Sequence, residues 1–197
     1  MFVQVFQGRV RDPKVYERQT EQWRREIRPK TTSFLGFTAG LTDDGEMVTV
    51  ARFDSEAGAR RDSELAEQGD WFEQFAQNSD GITFHDCPEV DTMLDGGSND
   101  AGFVQVMQGR AKDRDEMRSR RTDFEAELRR VRPDLIGATI AWHGDDDQAF
   151  TEVVYFTSED EARRGEQKMS ETSLGSDFMS LIDGELTFFD LRRPVLE

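Results

Sequence analysis

Apolar and polar side chains follow two different periods along the chain, and these periods predict its elements. Residues Phe2 to Gly8 alternate between apolar and polar and are rich in Val and Phe, which is typical of a β-strand. Asp12-Pro13 then supplies a helix N-cap and a first-turn proline. Apolar residues recur after it at helical spacing, until Arg28-Pro29 ends the helix: Tyr16, Trp23 and Ile27.

The pattern then returns to strands. Two apolar runs separated by a turn with an Asp-Gly dipeptide predict a hairpin, Phe34 to Leu41 and Met47 to Phe53. Ser55 caps a helix that extends to about Ala66, and a break at Gln68-Gly69-Asp70 precedes a further helical piece. A short strand from Ile82 to Asp86 closes the unit. The order βαββαβ predicts a four-stranded antiparallel sheet with both helices on one face, the ferredoxin-like arrangement.

The first strand returns near mid-chain. Phe2 to Arg9 and Phe103 to Arg110 are identical at seven of eight positions, and the same order of elements follows each copy. A match of this quality indicates an internal duplication. We therefore predict a first repeat at 1–92, a flexible linker at 93–102 and a second repeat at 103–197.

Each predicted sheet has helices on one face only, so its other apolar face must find cover. The nearest cover is the other repeat. We predict an α+β fold in which two tandem ferredoxin-like βαββαβ repeats pack sheet to sheet within one chain. Such a chain is a monomeric pseudo-dimer, and a homodimer of it is the alternative.

Charge and composition narrow the function classes. The chain has 41 acidic and 25 basic residues among 197, a formal charge of −16, spread over both repeats. A surface this negative repels nucleic acid and anionic membranes, so we expect neither as a partner. The single cysteine, Cys87, allows no intrachain disulfide. No secretory leader or long apolar run is present, from which we expect a cytoplasmic protein.

The sequence resembles the dimeric α+β barrel superfamily, specifically the antibiotic-biosynthesis-monooxygenase-like proteins in a tandem-fused form. The resemblance covers nearly the whole chain except the linker. Four groups of residues carry it: the paired strands at 2–9 and 103–110, Gly36 to Gly40, Val48 to Ser55, and Thr83 to Asp86.

The resemblance implies a small-molecule protein with an apolar pocket between sheet and helices. If it is an enzyme, the resemblance implies a monooxygenase, an oxidoreductase that oxidises an aromatic or polyketide-like substrate without a cofactor. In that chemistry the deprotonated substrate supplies the electrons to oxygen. The alternative is a non-catalytic ligand-binding or stress-associated module, which predicts a cavity too small or too dry for a ligand.

His85 is the candidate base, because its counterpart in the second repeat is Phe189 and histidine titrates near neutral pH. A packed, hydrogen-bonded histidine is the alternative interpretation. The candidate substrate-binding residues are Gln4, Trp71, Arg52, Gln105 and Tyr155. Gln4 and Gln105 also have a structural interpretation, as amides that fix a strand end, and Arg52 has one as a salt-bridge partner.

The sequence contains no clear motif for a cofactor or a metal ion. Gln4, Trp71 and His85 resemble the chain order of Asn, Trp and His in haem-degrading members, but Gln replaces Asn and the second repeat lacks both Trp and His. We therefore expect no cofactor, with haem as the alternative. His143 stands near Asp145 and Asp147 at a spacing that matches no established metal site, so we predict no metal.

Overall fold

The computed structural model describes residues Met1 to Glu197, and the first half contains five strands and three helices. Their bounds, in chain order, are β1 Phe2–Val10, α1 Pro13–Glu26, β2 Phe34–Leu41, β3 Glu46–Phe53, α2 Glu56–Ser63, α3 Ala66–Gln77, β4 Ser79–Cys87 and β5 Glu89–Met93. A single 3₁₀ turn, Arg28–Lys30, follows α1 at the predicted Arg-Pro stop.

The second half repeats this order. Its elements are β6 Phe103–Ala111, α4 Arg114–Val131, β7 Leu135–Trp142, β8 Ala149–Phe156, α5 Glu159–Ser170, α6 Ser173–Ser180, β9 Ile182–Leu191 and β10 Val195–Leu196. No helix combines the length and the apolar character that a membrane crossing requires.

Corresponding helices in the two halves begin with the same kind of N-cap side chain. Asp12 accepts a hydrogen bond from the Lys14 amide at 2.8 Å before α1, and Asp113 accepts one from the Glu116 amide at 2.9 Å before α4. Ser55 and Ser158 cap α2 and α5 in the same way. These caps satisfy amides that the first helical turn leaves free, so the duplicated sequence fixes the helix starts locally.

The strands form two antiparallel sheets of five, in the orders β10-β2-β3-β1-β4 and β5-β7-β8-β6-β9. Each half gives its last strand to the other sheet. Only Pro88 separates β4 from β5, which pairs with β7, and β10 at the C-terminal end pairs with β2. This exchange connects the two sheets at both sides.

The two sheets pack face to face, as predicted. Twelve buried residues from both sheets form the inter-sheet core: Val3, Val5, Val48, Val50, Cys87, Val104, Val106, Ala141, Val153, Tyr155, Phe189 and Leu191. Polar bonds also cross the interface, from Gln108 Nε2 to Gln7 Oε1 at 2.6 Å and between the hydroxyls of Thr38 and Tyr155 at 2.6 Å. The α+β fold of two tandem ferredoxin-like repeats is therefore confirmed.

Two equivalent glycines allow the close approach of neighbouring segments. A Cβ at Gly36 would lie 2.0 Å from the Glu197 carbonyl oxygen, and a Cβ at Gly137 would lie 1.9 Å from that of Gly96. A real side chain cannot occupy either space, so glycine is required beside both exchanged strands.

Two local predictions were wrong. The predicted break at Gln68-Gly69-Asp70 lies inside α3, and the helices separate earlier, at Glu64 and Leu65. Gly69 is exposed and has no neighbour within 4 Å, so it costs the helix only about 1 kcal/mol. Residues 89–93, predicted to be the end of the first repeat and the start of the linker, form β5 in the second sheet.

Candidate functional site

The helix-covered faces of the two sheets each hold a cavity, and the two cavities differ greatly in size. The cavity of the first half measures about 100 Å³ and that of the second half about 710 Å³. Small-molecule sites in proteins usually measure about 300–1,000 Å³. Only the second cavity is therefore large enough for a multi-ring organic molecule.

Smaller side chains open the second cavity. Ala138 on β7 occupies the register position that Phe37 occupies on β2. Leu174 on α6 precedes β9 by the same number of residues as Trp71 on α3 precedes β4. The second cavity is lined mainly by apolar side chains, among them Met107, Met117, Phe124, Leu128, Ile140, Val154, Phe178 and Leu181.

Glu152 is the one carboxyl that this cavity holds without a charged or hydrogen-bonding partner. It lies on β8 opposite Met107, its residue is 8% exposed, and its Oε2 has no hydrogen-bond partner. Burial raises the pKa of Glu152 to about 7, because the charged form loses its hydration. A carboxyl with this pKa is ready to accept a proton near neutral pH.

Sequence reasoning missed Glu152, although the sequence carries a signal for it. The register pairs Phe6 with Thr49 in the first half and Met107 with Glu152 in the second. A neutral hydroxyl residue in one repeat is therefore an acid in the other, and this acid is the only charged residue of the segment Phe150 to Phe156. A comparison of the two repeats position by position would have identified it.

The other charged side chains that line the second cavity are each paired with a group of opposite charge, inside or beside the cavity. Arg163 contacts Asp190, which also accepts a hydrogen bond from Gln105 Nε2 at 2.9 Å. Arg132 and Asp134 form a buried ion pair at 2.8 Å, and Arg121 contacts Asp91 at 2.5 Å. Because these arginines are neutralised by carboxylates, the cavity favours an uncharged, apolar ligand over an anionic one.

Three of the predicted binding residues line a cavity. Gln105 lines the second cavity, whereas Gln4 and Trp71 line the small first one. Gln4 donates to Asp86 at 2.9 Å, as Gln105 does to Asp190, so each glutamine amide ties neighbouring strands together. Trp71 stacks on Phe75 at 4.8 Å and donates to the Gln19 carbonyl.

Arg52 and Tyr155 lie on the faces of their sheets that are turned away from the helices, and therefore away from both cavities. The Tyr155 hydroxyl forms a hydrogen bond with the Thr38 hydroxyl, and burial raises the pKa of this tyrosine. Arg52 donates to the Glu197 carbonyl at 2.5 Å. Neither residue is brought together with Gln4, Trp71 or Gln105.

His85 also faces the other sheet. It pairs in register with Val5, a member of the inter-sheet core, and its ring stacks on that of His143 with centroids 4.2 Å apart. It lines neither of the two cavities. The structure therefore separates His85 from Gln4, Trp71 and Gln105, the predicted binding residues that line the cavities.

Solved structures share this architecture along the whole chain. A monooxygenase-like protein from Fusobacterium nucleatum matches with a TM-score of 0.76 at 13% identity, over 100% of this chain and 93% of its own. One from Lactobacillus acidophilus gives 0.71 at 10% identity, over 100% and 98%. An anthrone oxidase-like protein gives 0.66 at 10% identity, over 99% and 92%.

The chain has the fold of a dimeric α+β barrel. This likeness confirms the resemblance seen in the sequence at the level of the fold, which by itself does not determine function. No protein-family model matches the chain, and no curated protein matches it by sequence.

Haem does not suit either cavity of the barrel. The residues that line the second cavity include methionines but no histidine, cysteine or tyrosine. Methionine binds haem iron in proteins as the partner of a histidine, and this lining offers none. The first cavity includes Tyr16, but its volume of about 100 Å³ is too small for a porphyrin. The donor set favours an organic ligand.

Proposed function

We propose that the second half of the barrel binds an uncharged aromatic or polyketide-like molecule and that Glu152 removes a proton from it. This deprotonation begins a cofactor-independent oxidation by O₂. One observation carries the proposal: an unpartnered carboxyl whose pKa burial raises to about 7, on the wall of an apolar cavity of about 710 Å³. The first cavity has no acid at the equivalent position, Thr49.

The proposed reaction converts a ring methylene into a carbonyl. The Glu152 carboxylate takes one C–H proton, and the resulting carbanion transfers its electrons to O₂ and forms a carbon-bound peroxide. Protonation of the peroxide and loss of the second C–H proton break the O–O bond. The balance is R₂CH₂ + O₂ → R₂C=O + H₂O, so O₂ is the oxidant and no external reductant is needed.

The surroundings of Glu152 support its role as a base. Burial among apolar side chains leaves the Glu152 carboxylate poorly hydrated, so little hydration has to be removed when the substrate arrives. Gln105 lies on the same wall, held by Asp190, where its amide can orient a substrate carbonyl. His85 remains a prediction as the base, but its position between the sheets favours Glu152.

The test compares Glu152→Gln with His85→Gln on an anthrone. Oxygen uptake and quinone absorbance are followed in chelator-treated buffer, after subtraction of the rate without protein. We expect Glu152→Gln to lower kcat by about 10²–10⁴-fold, the usual contribution of a general base, with the Kd little changed. His85→Gln should keep the wild-type rate.

The opposite result assigns the base to His85 and overturns this proposal. Substitution of the paired glutamines provides a matched control, because Gln105→Leu alters the large cavity and Gln4→Leu the small one. We expect only Gln105→Leu to weaken ligand binding. If the ligand binds the second cavity but the protein does not accelerate oxygen uptake, the chain is a binding module and the catalytic proposal is wrong.

A further inference from the structure

The only two histidines of the chain meet at the interface between the sheets. His85 lies on β4 of the first sheet, and His143 directly follows β7 of the second. Their rings lie within 15° of parallel, with centroids 4.2 Å apart. Asp145, two residues after His143, completes a group whose donor atoms all lie within 4.8 Å of one another.

Backbone contacts hold the two histidines together. The Gly144 amide donates to the Asp86 carbonyl at 2.7 Å, which joins the turn after β7 to the strand that carries His85. The His143 amide donates to the Ala149 carbonyl at 3.0 Å and fixes the other side of that turn. The approach of the two rings is therefore built into the main chain.

Each ring has a nitrogen available for a ligand, because only the His143 ring makes a hydrogen bond, through one of its two nitrogens. His143 Nε2 bonds the Thr151 hydroxyl at 2.9 Å, and Thr151 also accepts a bond from Gln108 at 3.1 Å. Such a bond on one ring nitrogen orients a histidine that ligates through the other. His85 Nδ1 is buried and has no hydrogen-bond partner, and a buried polar atom without a partner needs an explanation.

We infer that His85, His143 and Asp145 form a binding site for a divalent transition-metal ion such as Zn²⁺. Two imidazoles and one carboxylate match the ligand preference of Zn²⁺, Co²⁺, Ni²⁺ or Cu²⁺, whereas Mg²⁺ and Ca²⁺ prefer oxygen alone. Three protein ligands leave the fourth position of a tetrahedral ion to water. The bound ion joins the two sheets.

Coordination of one ion requires the donor atoms to come closer and the His85 ring to turn out of its stack on His143. Tetrahedral bonds of about 2.0–2.1 Å place ligand atoms about 3.4 Å apart, so the three donors must approach by at most about 1.4 Å. His85 is half-buried and Asp145 is exposed, so these two side chains have more room to reorient than the buried His143. The acidic surface, including nearby Asp86, raises the local concentration of cations.

The experiment titrates Co²⁺ and then Zn²⁺ into the full chain, without a histidine tag and after treatment with a chelator. Visible absorption of Co²⁺ reports tetrahedral coordination, and calorimetry gives the Kd and the stoichiometry. We expect one ion per chain, displacement of Co²⁺ by Zn²⁺, and an increase in Tm of roughly 5–10 °C at one hundred times the Kd.

The variants His85→Gln and Asp145→Asn change side chains that are not fully buried, so the barrel should fold with either. We expect each to weaken binding at least about 10-fold, and His143→Gln to weaken it further. Asp147→Asn, in the same turn but outside the group, is the matched control and should bind as the wild type does.

Two results would overturn the metal site. One is the absence of saturable binding in the wild type. The other is weak binding of several ions that His85→Gln leaves unchanged, which would indicate exposed carboxylates only. Neither readout depends on the cavity on the other side of the sheet, so failure here leaves the proposed function untouched.

Discussion

Glu152 and Thr49 show how a single strand position separates the two halves. Both face the helix-covered side of their sheets, but the acid stands in a cavity without a partner. Gln4 and Gln105, which the repeats share, form the same contact in both halves: each donates a hydrogen bond to an aspartate on the neighbouring strand at 2.9 Å. At these positions the shared glutamines connect neighbouring strands, whereas the unshared acid carries the proposed chemistry.

We predict that Glu152→Gln stabilises the protein at high pH. Burial raises the pKa of Glu152 from 4.5 to about 7, so the folded state favours the neutral acid. Its contribution to stability is fully present below pH 4.5 and is lost as the pH rises through about 7. The variant should therefore gain up to roughly 3 kcal/mol over the wild type at pH 8.5 and little at pH 4.5.

The measurement is urea unfolding of both proteins across this pH range. Glu166→Gln is the control, because Glu166 lines the same cavity but is paired with Arg163 at 3.0 Å. A stability difference between Glu152→Gln and wild type that stays constant with pH would show that the acid ionises normally in the folded state.

At the scale of elements, side chains from one helix and one strand of each half decide the size of its cavity. Aromatic rings fill the space in the first half, where Trp71 and Phe75 on α3 stack together and Phe37 projects from β2. The second half has Leu174 and Ala138 in place of Trp71 and Phe37, and its cavity is about seven times as large. Equal topology therefore gives unequal binding capacity.

We predict that Leu174→Trp, which copies the first half, closes the second cavity. The indole should fill space that a ligand needs, so ligand affinity should fall more than about 10-fold, while the free energy of unfolding falls by no more than about 3 kcal/mol. Calorimetry with an aromatic ligand and urea unfolding measure the two effects.

Leu174→Met keeps the side-chain volume and serves as the control. Unchanged affinity in Leu174→Trp would show that the ligand binds outside this cavity. A large loss of stability would show that the cavity cannot accept the ring.

At the scale of the whole molecule, the exchanged strands and the inter-sheet core make the two halves one unit. Strand β5 completes the second sheet and β10 completes the first, so neither sheet has all its strands from one half. Leu191 in the second sheet packs at 3.2 Å from the position where a Cβ of Gly40 in the first would lie. The apolar faces that each repeat leaves open are buried against each other.

We predict that Leu191→Ala destabilises both halves together. The side chain is fully buried in the inter-sheet core, so its truncation should cost about 2–5 kcal/mol. Tryptophan fluorescence and circular dichroism should report a single transition at a lower temperature. Met179→Ala, an exposed apolar residue, is the control and should change the stability by less than about 0.5 kcal/mol. Two separate transitions would show that the halves unfold independently.

The sequence by itself determined the duplication, the order of elements and the pairing of sheets, because alternation, caps and turns act over a few residues and each appears twice. It misplaced the helix break at Gly69, since an exposed glycine is tolerated where Trp71 and Phe75 anchor the helix. Only the tertiary structure decided which residues meet. His85 stacks on His143 because strand exchange brings the two sheets together. Glu152 lies without a partner in a cavity whose size depends on side chains that are distant from it in the sequence.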